Sequence, residues 1–199
     1  LIRQTFRQVA AAEFTSPIVS EVLAREGEIA ERLRVMPSLR TQGQRIRCHG
    51  DYHLGQVLWT GKTFVITDFE GEPTRSPARK RMKRPALVDL AGMIRSFHYA
   101  SQTAAIRLNR ELTGSLEHGP INSWLTLWFR WISASFLRSY FELAGFAGFL
   151  PTDERQLAVL LDFCLLEKAV YELGYEANTR PAWVDLPAKG ILDILAAGA

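Results

Sequence analysis

Cysteine is scarce: Cys48 and Cys164 are the only two in 199 residues, far apart and outside any C-x-x-C pattern. That excludes a disulfide-stapled scaffold and a cysteine zinc site, and it reads as two reduced, mostly buried thiols. Long apolar runs are missing too. None reaches the ~18 residues a membrane span needs, because Arg130 and Asp162 cut the greasiest stretches. The opening Leu1 to Phe6 has neither a basic n-region nor an apolar h-region, so no signal peptide is visible. No Met precedes it, which reads as a fragment. The fourteen glycines never form a G-x-G pair, which removes the Gly-rich loop that covers nucleotide phosphates in many kinases. There is no internal repeat and no low-complexity linker. A cytoplasmic location without membrane contact is the expectation.

What is present is one soluble domain's worth of core. Hydrophobic residues make up 47% and charged residues 23%, the balance of a globular chain rather than a disordered one. The net charge of +3 is unevenly spread. Arg75 to Arg84 holds six basic residues and no acid, and the remainder carries 18 basic against 21 acidic residues. One local positive patch on a mildly acidic body argues against a general nucleic-acid binder. The patch reads as a solvated surface loop, with screening of phosphate charge or docking of a partner domain as alternatives.

Residues 2 to 13 read as the end of a helix, and Ser16-Pro17 as an N-cap followed by proline at the first helical position. Ile18, Val22, Ile29 and Leu33 then recur at helical spacing, with Glu21 four residues before Arg25. Arg45 to Cys48 reads as extended. Val57 to Thr60 and Thr63 to Thr67 are β-rich, and Gly61-Lys62 between them fits a hairpin turn with glycine first. The second half reads as helical: 87–110, 121–143 with Leu125, Trp128, Ile132 and Phe136 on one stripe, Thr152 to Leu173 ending at a C′ Gly174, and 188–197. The fold class expected is mostly α with a small β-hairpin, in a single domain over residues 1–199.

Gly55 to Thr63 imitates a P-loop but has five residues, not four, between its glycines, and those residues are bulky and β-prone. The informative stretch is His49-Gly50-Asp51-Tyr52-His53-Leu54-Gly55-Gln56, followed by Val65-Ile66-Thr67-Asp68-Phe69-Glu70. Phosphoryl transfer to a hydroxyl needs a carboxylate to accept the hydroxyl proton and oxygen ligands to hold Mg²⁺ on the ATP phosphates. The protein-kinase arrangement is an Asp on a loop, an amide five residues on, and a second Asp after a hairpin. Asp51, Gln56 and Asp68 match it in order and offset. His53 reads equally well as loop support or as a core histidine.

The string His-Gly-Asp-x-His resembles the catalytic loop of the aminoglycoside-phosphotransferase-like kinases, which share the protein-kinase bilobal fold. The longer strings Arg47 to Trp59 and Val65 to Pro73 resemble the bacterial maltokinase family, including maltokinase domains fused to trehalose synthase. Asp89 to His98, Glu167 to Glu172 and Asn178 to Trp183 match as well, so the resemblance runs from about residue 16 to the end. It implies phosphorylation of maltose by ATP with Mg²⁺, with trehalose synthase as an associated domain. Asp51 would be the catalytic base, Gln56 and Asp68 the metal ligands, and Asp89 a helix residue bracing the loop. His49, Glu70, Lys168, Tyr171 and Glu172 would contact the substrate, with Arg180 a further candidate. Lys168, Tyr171 and Glu172 share one helical face, which also suits a solvated face with an i, i+4 ion pair. The alternatives are a related kinase acting on another hydroxyl compound, or an inactive binding fragment.

Such a kinase also has an N-lobe, whose strand lysine holds the α- and β-phosphates. No lysine-bearing strand precedes Asp51 here. The expectation is therefore the C-terminal lobe of a protein-kinase-like fold, weak in turnover by itself.

Overall fold

The computed structural model describes residues 2–35, 43–72, 76–111 and 119–197. In chain order the elements are α1 (Ile2–Ala11), α2 (Pro17–Ala24), α3 (Glu26–Val35), β1 (Arg45–Ile46), β2 (Val57–Trp59), β3 (Phe64–Ile66), α4 (Pro77–Lys80), β4 (Arg84–Pro85), α5 (Leu87–Glu111), α6 (Gly119–Ala144), α7 (Glu154–Thr179) and α8 (Asp185–Ala197). Short 3-10 turns cover Leu54–Gln56 and Pro181–Trp183. The chain, expected as one domain, divides into two compact units, 1–42 with 151–199 and 43–150.

The first unit is a helical layer built on α7, against which α1, α3 and α8 pack. Its core joins Phe6, Val9, Val19, Val22, Ile29, Leu173, Ile191 and Leu195, all essentially removed from solvent. The Ser16 hydroxyl accepts from the Val19 N–H and Pro17 opens α2, as the cap signal predicts. The apolar series from Ile18 to Leu33, however, is two helices that break at Arg25. That arginine binds Glu28 at 2.8 Å rather than the expected Glu21. Gly174 is not a helix terminator. It lies buried inside α7, where a β-carbon would stand 3.0 Å from the Thr5 hydroxyl oxygen, so it lets α1 cross closely. Asp153 caps α7 by accepting from the Gln156 N–H at 3.0 Å, and α8 begins three residues earlier than its apolar pattern shows.

The second unit carries two small antiparallel ladders, β1 with β4 and β2 with β3. The β2–β3 hairpin registers Val57 with Ile66 and Trp59 with Phe64. Gly61 takes φ +89°, a left-handed conformation that a side chain disfavours, at the first central position of the turn. Helix α5 buries Leu87, Leu90, Ala91, Met93, Ile94 and Phe97. It meets α6 through edge-on rings, Phe97 on Phe136 at 5.7 Å and His98 on Phe129 at 5.3 Å. Trp128, expected on the inward stripe of α6 with Leu125, Ile132 and Phe136, is instead 45% exposed. Of the basic run, Arg79 and Lys80 lie on α4 and Arg84 on β4, and Arg75 falls outside the described residues. Among the described residues no helix is long and apolar enough to cross a membrane.

Candidate active site

The loop from Arg47 to His53 leaves β1 and is tied to three successive positions along α5. Asp89 accepts the His49 backbone N–H at 2.7 Å through one carboxylate oxygen and the Gly50 N–H at 2.8 Å through the other. One turn on, Gly92 lets the Tyr52 carbonyl approach so closely that a β-carbon there would lie 2.6 Å from its oxygen. At the next turn the Ser96 hydroxyl accepts from the Leu54 N–H at 3.1 Å. Offsets of three and four residues put 89, 92 and 96 on one helix face. Asp89 thus ties the His49–Gly50 backbone to α5. Gly92 and Ser96 went unread in the sequence, although their register with Asp89 was the available signal.

The loop's two histidines face opposite tasks. His49 is buried, and its Nε2 donates to the Thr67 carbonyl at 2.7 Å. Its Nδ1 then accepts the Asp51 N–H at 3.4 Å. Its ring also packs on Phe69 at 4.9 Å and on Tyr52 at 5.6 Å. With both nitrogens engaged inside the protein, His49 fastens the loop to the residue before Asp68 and offers no edge to a substrate. His53 Nδ1 accepts the Gly55 N–H at 3.0 Å, which leaves the ring proton on Nε2, 3.8 Å from an Asp51 carboxylate oxygen. The Asp51 side chain is 18% exposed, so it is sheltered without being sealed.

Gln56 and Asp68 meet across the base of the hairpin. The Gln56 side-chain amide donates to an Asp68 carboxylate oxygen at 2.9 Å. The Thr67 N–H donates to the Gln56 carbonyl at 2.9 Å, which fixes the two chain segments beside each other. Asp68 has φ +61°, a left-handed conformation that few non-glycine residues adopt. The turn swings its carboxylate out of strand register and toward the amide. Glu70, two residues on, is exposed, and Glu72 is buried.

Among the described residues no group of three or more His, Cys, Asp or Glu could hold a metal ion alone. Mg²⁺ typically takes one or two carboxylate or amide oxygens and completes its shell with water and substrate phosphate. An amide and a carboxylate in contact, with the carboxylate open to solvent, fit a nucleotide-borne Mg²⁺ and do not fit a resident structural ion.

Cys48 borders this loop. Its Sγ lies 3.5 Å from the Arg84 and Pro85 carbonyl oxygens and 3.7 Å from that of Ile46. Burial, aided by the Asp89 charge, pushes the thiol up to about 11. Cys48 is a hydrogen-bonded structural thiol.

The remaining candidates lie on α7, in the other unit. The Lys168 ammonium stands 5.1 Å over the Tyr171 ring, and Tyr171 stacks on Tyr175 with centroids 6.5 Å apart. Glu176, fully buried, receives both arms of the Arg180 guanidinium at 2.6 and 2.8 Å. Arg180 also covers Tyr175 at 5.7 Å and Trp183 at 5.1 Å. Arg180 is therefore held by a carboxylate and two rings.

No family model matches the chain. It is 28% identical over 151 residues to a glucosamine kinase of Streptacidiphilus jiangxiensis, covering 75% of this chain and 32% of that protein. It is 47% identical over 57 residues to a glucosamine kinase of Mycolicibacterium smegmatis, covering 28% of this chain and 14% of that one. Among solved structures it superposes on a glucosamine kinase in complex with glucosamine, ADP and inorganic phosphate, with a TM-score of 0.74, 22% identity and coverage of 99% of this chain and 47% of that one. A further crystal form of glucosamine kinase gives a TM-score of 0.75 at 23% identity, covering 98% and 45%. The chain thus spans about a third of the first curated relative and about half of the solved chains. The fold is kinase-like and mostly helical with a small β-hairpin, as the sequence predicts, and it carries the two-residue β1–β4 ladder besides. Maltose as the partner is corrected by these comparisons: the matched proteins are glucosamine kinases, and one of them holds glucosamine. The trehalose synthase association rested on the maltokinase resemblance and falls with it.

Proposed function

We propose that this chain carries the phosphoryl-transfer machinery of an ATP- and Mg²⁺-dependent sugar kinase whose acceptor is an amino sugar of the glucosamine class. The observation that carries the reading is the Gln56–Asp68 contact at 2.9 Å beside a loop whose Asp51 is placed by Asp89. The chain is read as the C-terminal lobe of such an enzyme. Mg²⁺, when bound with ATP by Gln56 and Asp68, would neutralise charge on the phosphate oxygens. Asp51 accepts the proton of the sugar hydroxyl as that oxygen bonds the γ-phosphorus and the bond to ADP breaks. His53 Nε2–H orients the Asp51 carboxylate, and His49 and Asp89 hold its backbone. The exposed hairpin side chains Leu58, Trp59 and Phe64 offer an apolar surface of the kind a flat purine covers.

For an amino sugar the charge of the acceptor matters. An ammonium group on the sugar is attracted by a carboxylate and repelled by Lys168, so on α7 Glu172 is the preferred contact and Lys168 the weaker one. Tyr171 supplies a ring face for the sugar. Homology supports the class of substrate, and the site chemistry supports the reaction.

The test combines calorimetry and ADP release, using glucosamine, glucose and buffer alone as acceptors. Glucosamine-dependent ADP release is expected, slow from this lobe by itself. Asp51→Asn should lower it by about 10²–10⁴-fold while sugar and nucleotide still bind. Asp68→Asn should weaken Mg·ADP and abolish the paramagnetic broadening that Mn²⁺ causes at the site. Turnover by Asp51→Asn at the parent rate would refute the assignment.

A further inference from the structure

Helix α6 has two apolar faces, and among the described residues only one meets a partner helix. Its inner side meets α5 through Phe129 and Phe136. On its outer side Trp124 is 71%, Leu127 52%, Trp128 45% and Trp131 74% exposed. At 100° per residue these four fall within about 100° of arc, in the i, i+3, i+4, i+7 spacing of a helix–helix seam. Three indoles and a leucine in water leave open an apolar patch on the order of 400 Å², near the upper end of what a monomer displays.

We propose that this seam is a self-association surface, on which α6 of a second copy of this chain packs antiparallel about a two-fold axis. The register is self-complementary. Trp124 and Trp131 lie equally far from the midpoint between Leu127 and Trp128, so rotation about that midpoint sets each Trp124 against the partner's Trp131. It also sets each Leu127 against the partner's Trp128. Charge permits the pairing. Between residues 121 and 141 the only ionic side chains are Arg130, about 110° from the centre of the seam at 100° per residue, and Arg138, which follows the line of the seam but lies two turns beyond Trp131, past the paired stretch. Ser123, Ala134 and Ser135 border the stripe, small enough for helices to approach. Two such patches bury about 800 Å² of apolar surface. With a polar rim that reaches the size of a weak, reversible dimer rather than a permanent one. A bilayer is a poorer occupant, since the stripe spans only about 10 Å of helix and has no lysine-rich border.

Sedimentation velocity on the chain from 1 to 200 μM tests this directly. The mass should rise from 22.5 kDa toward about twice that value, with half-association on the order of 10 μM. Trp131→Glu should hold it at the monomer mass throughout while leaving the far-ultraviolet circular dichroism unchanged, because the side chain is three-quarters exposed. Trp124→Glu should do the same, since the pairing makes the two tryptophans equivalent. A chain that stays monomeric at 200 μM, or a dimer that survives both substitutions, would overturn the proposal. A longer form of the protein that stays monomeric with Trp124 and Trp131 protected from oxidation would assign the face to the added segment and overturn it too.

Discussion

Gly92→Ala separates two opposed effects that the structure lets one weigh. In an ordinary helix interior the change stabilises by about 0.5–1 kcal/mol, because glycine loses more backbone freedom on folding. Here the new β-carbon would lie 2.6 Å from the Tyr52 carbonyl oxygen, and the obstacle is backbone, not a flexible side-chain tip. Restoring an ordinary 3.4 Å contact needs a movement of about 0.8 Å, by the loop or by α5. Overpacking of this kind costs about 1–3 kcal/mol, so the net effect is a loss of roughly 1–2 kcal/mol. Urea unfolding reads that loss directly. Gly27→Ala, in α3 where nothing lies within 4 Å, serves as the control and should be neutral or stabilising. The movement also carries Asp51. A misplacement approaching 1 Å at a reacting group costs up to about 10²-fold, so sugar-dependent ADP release should fall by at least about tenfold. A Gly92→Ala protein as stable as the parent would show that α5 does not set the loop position.

Two further consequences follow from the same loop. Asp89→Ala leaves the His49 and Gly50 N–H groups without their carboxylate; at about 1.5–3 kcal/mol for each charge-assisted bond it should cost about 3 kcal/mol and lower the melting temperature by roughly 6–12 °C. Cys48 favours the neutral thiol in the folded state, with its pKa raised to about 11. That stability is fully present below the ordinary thiol value near 9, falls between pH 9 and 11, and is gone above the folded value. Iodoacetamide should therefore label Cys48 at pH 8 only on unfolding, and equal labelling of native and unfolded protein would refute this.

What was legible in the chain follows from physical range. The hairpin was readable because β-branched runs flank a glycine that the turn itself requires; Asp51, Gln56 and Asp68 were singled out because side-chain chemistry and offset coincide, and of these the structure brings Gln56 and Asp68 into contact. The β1–β4 ladder was not, since Arg45–Ile46 and Arg84–Pro85 are two residues each, 39 apart, without the alternation that marks a strand. The break at Arg25 was hidden because Ile29 and Leu33 continue the apolar rhythm of α2 into a second helix. On α6 the rhythm was real but ambiguous. A helix apolar on two sides gives the same periodicity whichever side turns inward, and Trp128 was assigned to the wrong one.

The substrate lay further out of reach for a chemical reason. Accepting a hydroxyl proton and holding a phosphate-bound cation place the same demands on a protein whatever sugar carries the hydroxyl, so the loop and the hairpin base bear on the proposed reaction and are silent about the acceptor. Identity has to come from groups that meet the rest of the sugar. The α7 face offers a cation at Lys168, a ring at Tyr171 and an anion at Glu172, a set that suits a neutral disaccharide and an amino sugar equally well on composition alone. The two differ in one ammonium group. Glu172→Gln should therefore raise the KM for glucosamine by about tenfold or more while changing that for glucose little, because only the charged acceptor loses an ionic contact. Lys168→Gln should leave the KM for glucosamine unchanged or lower it. A parallel rise for both sugars in Glu172→Gln would mean that the carboxylate reads hydroxyls and would refute its role in recognising the proposed amino sugar.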